Sequence, residues 1–208
     1  MRPAAGIALF AGLLALAGCA APRAVPPRPA ETVAPGVCLD ALSRSGAAYE
    51  IATIPVARRG CGLTEGVSLR QSQATIEPAA TMSCPLALAL TEFEARVIQP
   101  AAEKHLGARA TTIRQIGAYS CRVRTGGSGR LSNHAAGLAI DIAGFDMADG
   151  THVLVKRDWR DPGPRGRFLR EIARAACESF SVVLTPNTDV FHHDHIHLDI
   201  GRDRLCSV

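Results

Sequence analysis

Four of the chain's seven histidines fall within six residues, at His192, His193, His195 and His197. A fifth, His134, precedes Asp141 by seven positions in the stretch Ser132-Asn133-His134-Ala135-Ala136-Gly137-Leu138-Ala139-Ile140-Asp141-Ile142. Imidazole nitrogens and carboxylate oxygens are donors that hold zinc at about 2.0–2.2 Å, and a catalytic site uses three of them and keeps one position for water. Strand alternation gives these residues a common direction, because successive side chains point to opposite faces. In 138–142 the bulky apolar residues Leu138, Ile140 and Ile142 share one face, and Asp141 lies on the other. In 195–200 the core face is Ile196, Leu198 and Ile200, and the opposite face carries His195, His197 and Asp199. Side by side, two such strands bring His134, Asp141, His195 and His197 together. Four ligands would close the site to water, so one of the four is left to act as a base. His105 and His152 have no such company and are assigned no role.

The remaining elements must position this pair of stretches. Residues 38–45 read as a short helix with Leu39 and Leu42 on one face. Tyr49 to Ile54 reads as a strand, Gly60-Cys61-Gly62 as a turn and Val67 to Leu69 as a second strand. This lead-in carries no chemical signal, and whether it leaves room above His134 is an open question for the structure. A helix then starts at Ser83 or Cys84 with Pro85 in its first turn, where the missing N–H is harmless. Leu86, Leu90, Phe93 and Val97 form its apolar stripe, Pro100 must kink or interrupt it, and Gly107 closes it. Thr111 to Arg124 reads as one long strand, followed by a loop at Gly126-Gly127-Ser128-Gly129. That loop lacks the Lys-Ser/Thr ending of a phosphate cradle. Pro164 to Phe180 reads as a second amphipathic helix and Val182 to Leu184 as a short strand. The expected fold class is α+β, a small antiparallel sheet packed with two main helices.

The N-terminus reads as an export signal. Arg2 is followed by the apolar run Gly6 to Leu16, too short to remain as a membrane span, and then by Leu16-Ala17-Gly18-Cys19. This string resembles a bacterial lipobox, which implies a signal peptide over 1–18 and acylation of Cys19. Ala20 after the cysteine implies the outer membrane, facing the periplasm. Residues 19–36 are rich in Ala and Pro and read as an extended tether, leaving a domain over 37–208. The net charge of +4 comes without a basic block, which speaks against nucleic acid as a partner. Six cysteines remain, Cys38, Cys61, Cys84, Cys121, Cys177 and Cys206, none in a C-x-x-C pair. An even set in an exported chain predicts three disulfides, with a local Cys38–Cys61 bridge as the expectation.

Ser132-x-His134-x-x-Gly137-x-Ala139-x-Asp141 with the later His195-x-His197 resembles the signature of the D-Ala-D-Ala metallopeptidase superfamily, which includes zinc D,D-carboxypeptidases and penicillin-insensitive murein endopeptidases. More closely, residues 38–206 resemble the bacterial extensin-like C-terminal domain family, through 118–122, 131–144, Asp158-Trp159, Phe168-Leu169 and the closing histidine strand. The resemblance implies a Hedgehog/D-Ala-D-Ala peptidase-like, disulfide-stapled fold and one Zn2+ held by His134, Asp141 and His197. It implies His195 as general base, His192 as a further catalytic histidine, Arg122 as the substrate-holding cation and Ser132 as a supporting contact. Asp194, with His193 and Asp199, would brace the histidines from outside. The dipeptidase branch carries Glu-x-x-His where this chain has His195-x-His197, so the endopeptidase arrangement is nearer. The function so implied is hydrolysis of peptide bonds in peptidoglycan by a lipid-anchored enzyme. The alternative is a zinc-containing module that binds wall peptides without cutting them.

Overall fold

The computed structural model describes Met1 and residues 36–58, 61–125 and 129–208. Residues 2–35, which include the expected leader, Cys19 and the expected tether, and residues 59–60 and 126–128 lie outside the described residues. The chain enters through α1 (Val37–Arg44) and the hairpin β1 (Ala48–Arg58) and β2 (Cys61–Gln71), then runs into β3 (Thr75–Ser83). A helical segment follows, made of α2 (Cys84–Phe93), a π-helical turn (Glu94–Ile98) and α3 (Gln99–Leu106). β4 (Ala110–Gly117) leads to a 3-10 turn (Asn133–Ala136), β5 (Ala139–Met147), β6 (His152–Leu154) and α4 (Val155–Asp158). The chain ends with α5 (Pro164–Ser179), β7 (Val182–Leu184), a 3-10 turn (Val190–His192), β8 (Ile196–Asp199) and β9 (Leu205–Ser207).

The sheet is larger than the sequence suggests, and it is mixed. Among the described residues nine strands run in the order β1-β2-β3-β4-β5-β8-β7-β9, with β6 paired to β5. Most pairs are antiparallel, but β3–β4 and β7–β9 are parallel. A parallel pair needs a crossover of a dozen or more residues, and the α2–π–α3 segment between β3 and β4 supplies one. Helices α3 and α5 pack on each other against the sheet, and the core faces them. Phe145 meets Phe168 edge-on at 5.1 Å, and Phe93 meets Phe180 at 5.2 Å. Ile140, Ile142, Ile196 and Leu198 are buried in this core as alternation predicts.

Pro100 interrupts the α-helix as a π turn rather than as a break. A proline cannot donate an N–H and crowds the carbonyl four residues back, and the widened turn ahead of it accommodates both faults. The turn carries Glu94, fully buried, whose carboxylate accepts from Ser72 Oγ, from Gln73 N at 3.2 Å and from Gln99 Nε2 at 2.9 Å. Gly107 closes α3 with φ 68°, in the left-handed region expected of it.

All six cysteines are paired, but not as expected locally. The bridges are Cys38–Cys84, Cys61–Cys121 and Cys177–Cys206, with Cα separations of 6.1, 5.5 and 5.6 Å. The expected Cys38–Cys61 bridge is absent because α1 packs on α2, which puts Cys38 against the start of that helix. Cys61 opens β2, beside the segment that follows β4. That segment also corrects the expected strand Thr111–Arg124, which ends at Gly117. Beyond it the backbone turns its hydrogen bonds elsewhere: Tyr119 N donates to Thr81 O at 2.9 Å, and Ser120 N to His134 O at 3.1 Å.

Candidate metal centre

β5 and β8 are antiparallel neighbours, and their register sets Asp141 directly opposite His197. Directly opposed side chains on one face stand close enough to share a ligand. His134 arrives from the 3-10 turn that precedes β5. Ser132 caps that turn, its Oγ accepting from His134 N at 3.4 Å. Gly137 ends it with φ 63°, a conformation that suits glycine. The glycine also lies close to β3, since a Cβ there would meet Ser83 N at 2.8 Å. Gly137 thus allows the tight turn from which His134 reaches the strand pair.

Three donor atoms gather there. His134, Asp141 and His197 each offer one ligand atom, and these lie within 4.8 Å of one another among buried groups. His197 Nδ1 is 2.8 Å from Asp141 Oδ1, and His134 Nε2 is 3.3 Å from Asp141 Oδ2 and from His197 Nδ1. The outer nitrogens fix which atom faces inward. His134 Nδ1 donates to Ala118 O at 2.6 Å; a carbonyl only accepts, so the proton sits on Nδ1 and the Nε2 lone pair faces the cluster. His197 is turned the other way, with Nε2 3.6 Å from Asp199 Oδ2. Asp199 is itself held by Asn133 Nδ2 at 2.6 Å. Carbonyl and carboxylate partners behind ligand histidines fix ring orientation at metal sites. Two nitrogens and one carboxylate oxygen, buried and braced from behind, could hold a divalent transition metal.

The electrostatics reflect the crowding. Burial raises the Asp141 carboxyl pKa, but His134 and His197 outweigh it and hold the group well below the usual carboxylate range. Burial lowers the His197 pKa, but Asp141 and Asp199 outweigh it and push the ring up to about 9 in the metal-free chain. Burial depresses the His192 pKa, opposed by Asp189 and reinforced by neighbouring His195 and His197.

The remaining predicted residues take distinct places. His195 lies beside the cluster, its Nε2 3.6 Å from Asp141 Oδ1 and its Nδ1 2.9 Å from Asp194 Oδ1. Asp194 thus braces His195 rather than one of the three clustered donors. The His192 ring packs 5.2 Å from His195 and 5.9 Å from His197. His193 faces away, exposed, with Nδ1 donating to Val190 O at 2.8 Å. Arg122 is exposed on the wall of the site, with Nη1 donating to Thr125 Oγ1 at 3.3 Å. His105 pairs with Glu171 and His152 with Asp146, away from the donor cluster. Trp159 is a core residue, its Nε1 donating to Asn187 Oδ1 at 3.0 Å. The sequence reading missed Asn133 and Asp189. Asp189 stands three residues before His192, a capping spacing that could have marked it; Asn133 gives no signal beyond its place next to His134.

These groups open into a cavity of about 360 Å³. Its described walls run from Arg122 to Leu205, and the lead-in 37–83 contributes no wall residue among those described. The lead-in supports the site from behind instead, with Leu63 and Ser83 against Gly137 and Cys61 bonded to Cys121. The described lead-in therefore does not wall off the cavity beside His134. No match was found among curated proteins or among solved structures. The family model for the extensin-like protein C-terminus matches residues 36–207, and the chain belongs to that family.

Proposed function

We propose that this chain is a zinc-dependent peptidase that hydrolyses peptide bonds in peptidoglycan, held by a lipid on Cys19 at the periplasmic face of the outer membrane. The observation that carries the reading is the division of labour among five close groups. Three donors lie within 4.8 Å of one another, while His195 stands 3.6 Å from Asp141 with its outer nitrogen tied to Asp194. A purely structural site has no use for that second, separately braced histidine. The order of these residues along the chain resembles that of the D-Ala-D-Ala metallopeptidase superfamily, and the proposal includes a peptidase-like fold around them.

His134, Asp141 and His197 would hold the metal. Zinc, when bound, supplies Lewis acidity toward a carbonyl oxygen and lowers the pKa of water toward neutrality. His195 accepts the proton of the attacking water through Nε2 and returns a proton to the leaving amine. Hydrolysis thus places the water oxygen on the carbonyl carbon, breaks the C–N bond and leaves a free amine. Arg122, exposed on the wall, holds a substrate carboxylate or carbonyl with its planar guanidinium. The test uses protein purified without a polyhistidine tag. One zinc per chain, lost with His134→Ala or Asp141→Ala, and release of soluble fragments from sacculi, lost with chelator, are expected. His195→Ala should retain zinc and lose about 10²–10⁴-fold in rate. Fully zinc-loaded protein that binds sacculi and releases nothing would replace the peptidase with a binding module.

A further inference from the structure

We propose that Asp189 is a positioning residue for this site: it grips His192 through Nδ1–H and thereby presents that ring's Nε2 to the cavity. The inference rests on the hydrolytic reading above, which gives His192 its use.

One carboxylate oxygen of Asp189 takes three donors. Oδ1 accepts from Phe191 N at 2.8 Å, from His192 N at 3.2 Å and from His192 Nδ1 at 2.7 Å. The first two bonds cap the 3-10 turn Val190–His192, which is three residues long. A serine or asparagine would serve that purpose equally well. The third bond is additional, and it concerns the ring alone. An ionised carboxylate only accepts, so the His192 proton sits on Nδ1 and the lone pair on Nε2, across the ring. Burial raises the Asp189 pKa, but His192 and the turn's N–H groups outweigh it and keep the carboxylate ionised.

The ring itself lies beside the chemistry. His192 packs against both His195 and His197 and shares the cavity wall with Arg122 and Ser132. Asp194 grips His195 in the same way, Oδ1 to Nδ1 at 2.9 Å. Two aspartates outside the donor cluster thus each hold Nδ1 of a histidine that lines the same cavity. Without its aspartate, His192 could exchange tautomers and swing, because its turn is short and its neighbour Phe191 is exposed.

The experiment compares Asp189→Ser and Asp189→Asn in zinc-loaded full-length protein. Serine keeps the backbone cap but is too short for the ring; asparagine can accept at both. Long-range 15N–1H spectra of histidine-labelled protein read the tautomer, with His192→Gln assigning the signal. Asp189→Ser is expected to keep its fold and zinc, to lose the Nδ1–H signature of His192, and to lose about 10–100-fold in kcat with KM little changed. Asp189→Asn is expected to retain the tautomer and most of the rate. A wild-type tautomer or a wild-type kcat in Asp189→Ser overturns the proposal, as does an equal loss in both variants. If the wild-type protein cuts no wall peptide, the hydrolytic reading fails separately, and the tautomer still decides whether Asp189 holds the ring.

Discussion

Gly137→Ala perturbs the site through the backbone alone. The residue sits at φ 63°, where an added Cβ costs about 1 kcal/mol or somewhat more. That Cβ would also lie 2.5 Å from Leu63 Cδ2, 2.8 Å from Ser83 N and 3.2 Å from Met82 C. Leu63 is buried and the other two atoms belong to β3, so the 3-10 turn must move away rather than its neighbours. The movement stretches the Ser83 N to Gly137 O bond, now 2.9 Å. Overpacking of this kind costs about 1–3 kcal/mol, so the total loss is about 3 kcal/mol. His134 rides on the same turn, and displacing a proposed ligand by a fraction of an ångström should weaken metal binding by roughly 10–100-fold. Gly107→Ala is the control, because Gly107 has φ 68° and nothing within 4 Å of an added Cβ. It should cost about 1 kcal/mol and leave the metal alone. Urea unfolding of metal-free protein and competition with a chromogenic chelator measure the two effects. Equal destabilisation in both variants, or unchanged zinc affinity in Gly137→Ala, would refute the reasoning.

Removing the Cys61–Cys121 bridge by paired Ser substitutions opens a loop with a sequence separation of 60 and should cost about 4 kcal/mol in chemical unfolding. It should also weaken zinc binding about tenfold, since the 118–122 segment holds His134 through Ala118 O and Ser120 N, whereas the same treatment of Cys177–Cys206 should cost similar stability and leave zinc unchanged. The His197 ring, raised to about 9 in the metal-free chain, contributes stability that is complete below its unfolded value near 6.5 and lost as pH rises through about 9. Chelated protein should therefore lose urea resistance across that window, and zinc binding near pH 7.5 should release a proton, read by calorimetry in buffers of different ionisation enthalpy. Phe168→Ala removes a fully buried ring packed edge-on against Phe145 and should cost about 3–5 kcal/mol in urea unfolding without changing zinc affinity.

The site was more legible in the sequence than the fold around it. Alternation put Ile140, Ile142, Ile196 and Leu198 in the core and Asp141 and His197 on the other face, because period two is rigid once a strand is recognised, while Leu138 and Ile200 at the strand ends stay half-buried. The register that sets Asp141 opposite His197 needs only those two strands. β3 was missed because Pro78 reads as a breaker inside Thr75–Ser83, and its pairing with β2 and β4 depends on chain far from it. β9 has only three residues, beyond any periodic signal. The disulfide partners could not be read because proximity along the chain says little about proximity in the fold: Cys61 finds Cys121 across 60 residues. Asp189 and Asn133 escaped because a bracing residue leaves no pattern of its own and becomes visible only through what it touches.

Hydrolysis itself is tested most directly by the fate of the water oxygen. Sacculi are digested by zinc-loaded protein in 18O-water, and the released wall fragments are weighed by mass spectrometry. Peptide-bond cleavage predicts new fragments with one heavy oxygen in a newly formed carboxyl group, absent with chelator and in His195→Ala. Zinc-loaded protein that yields no labelled fragment from any wall chemistry tried would contradict the peptidase account.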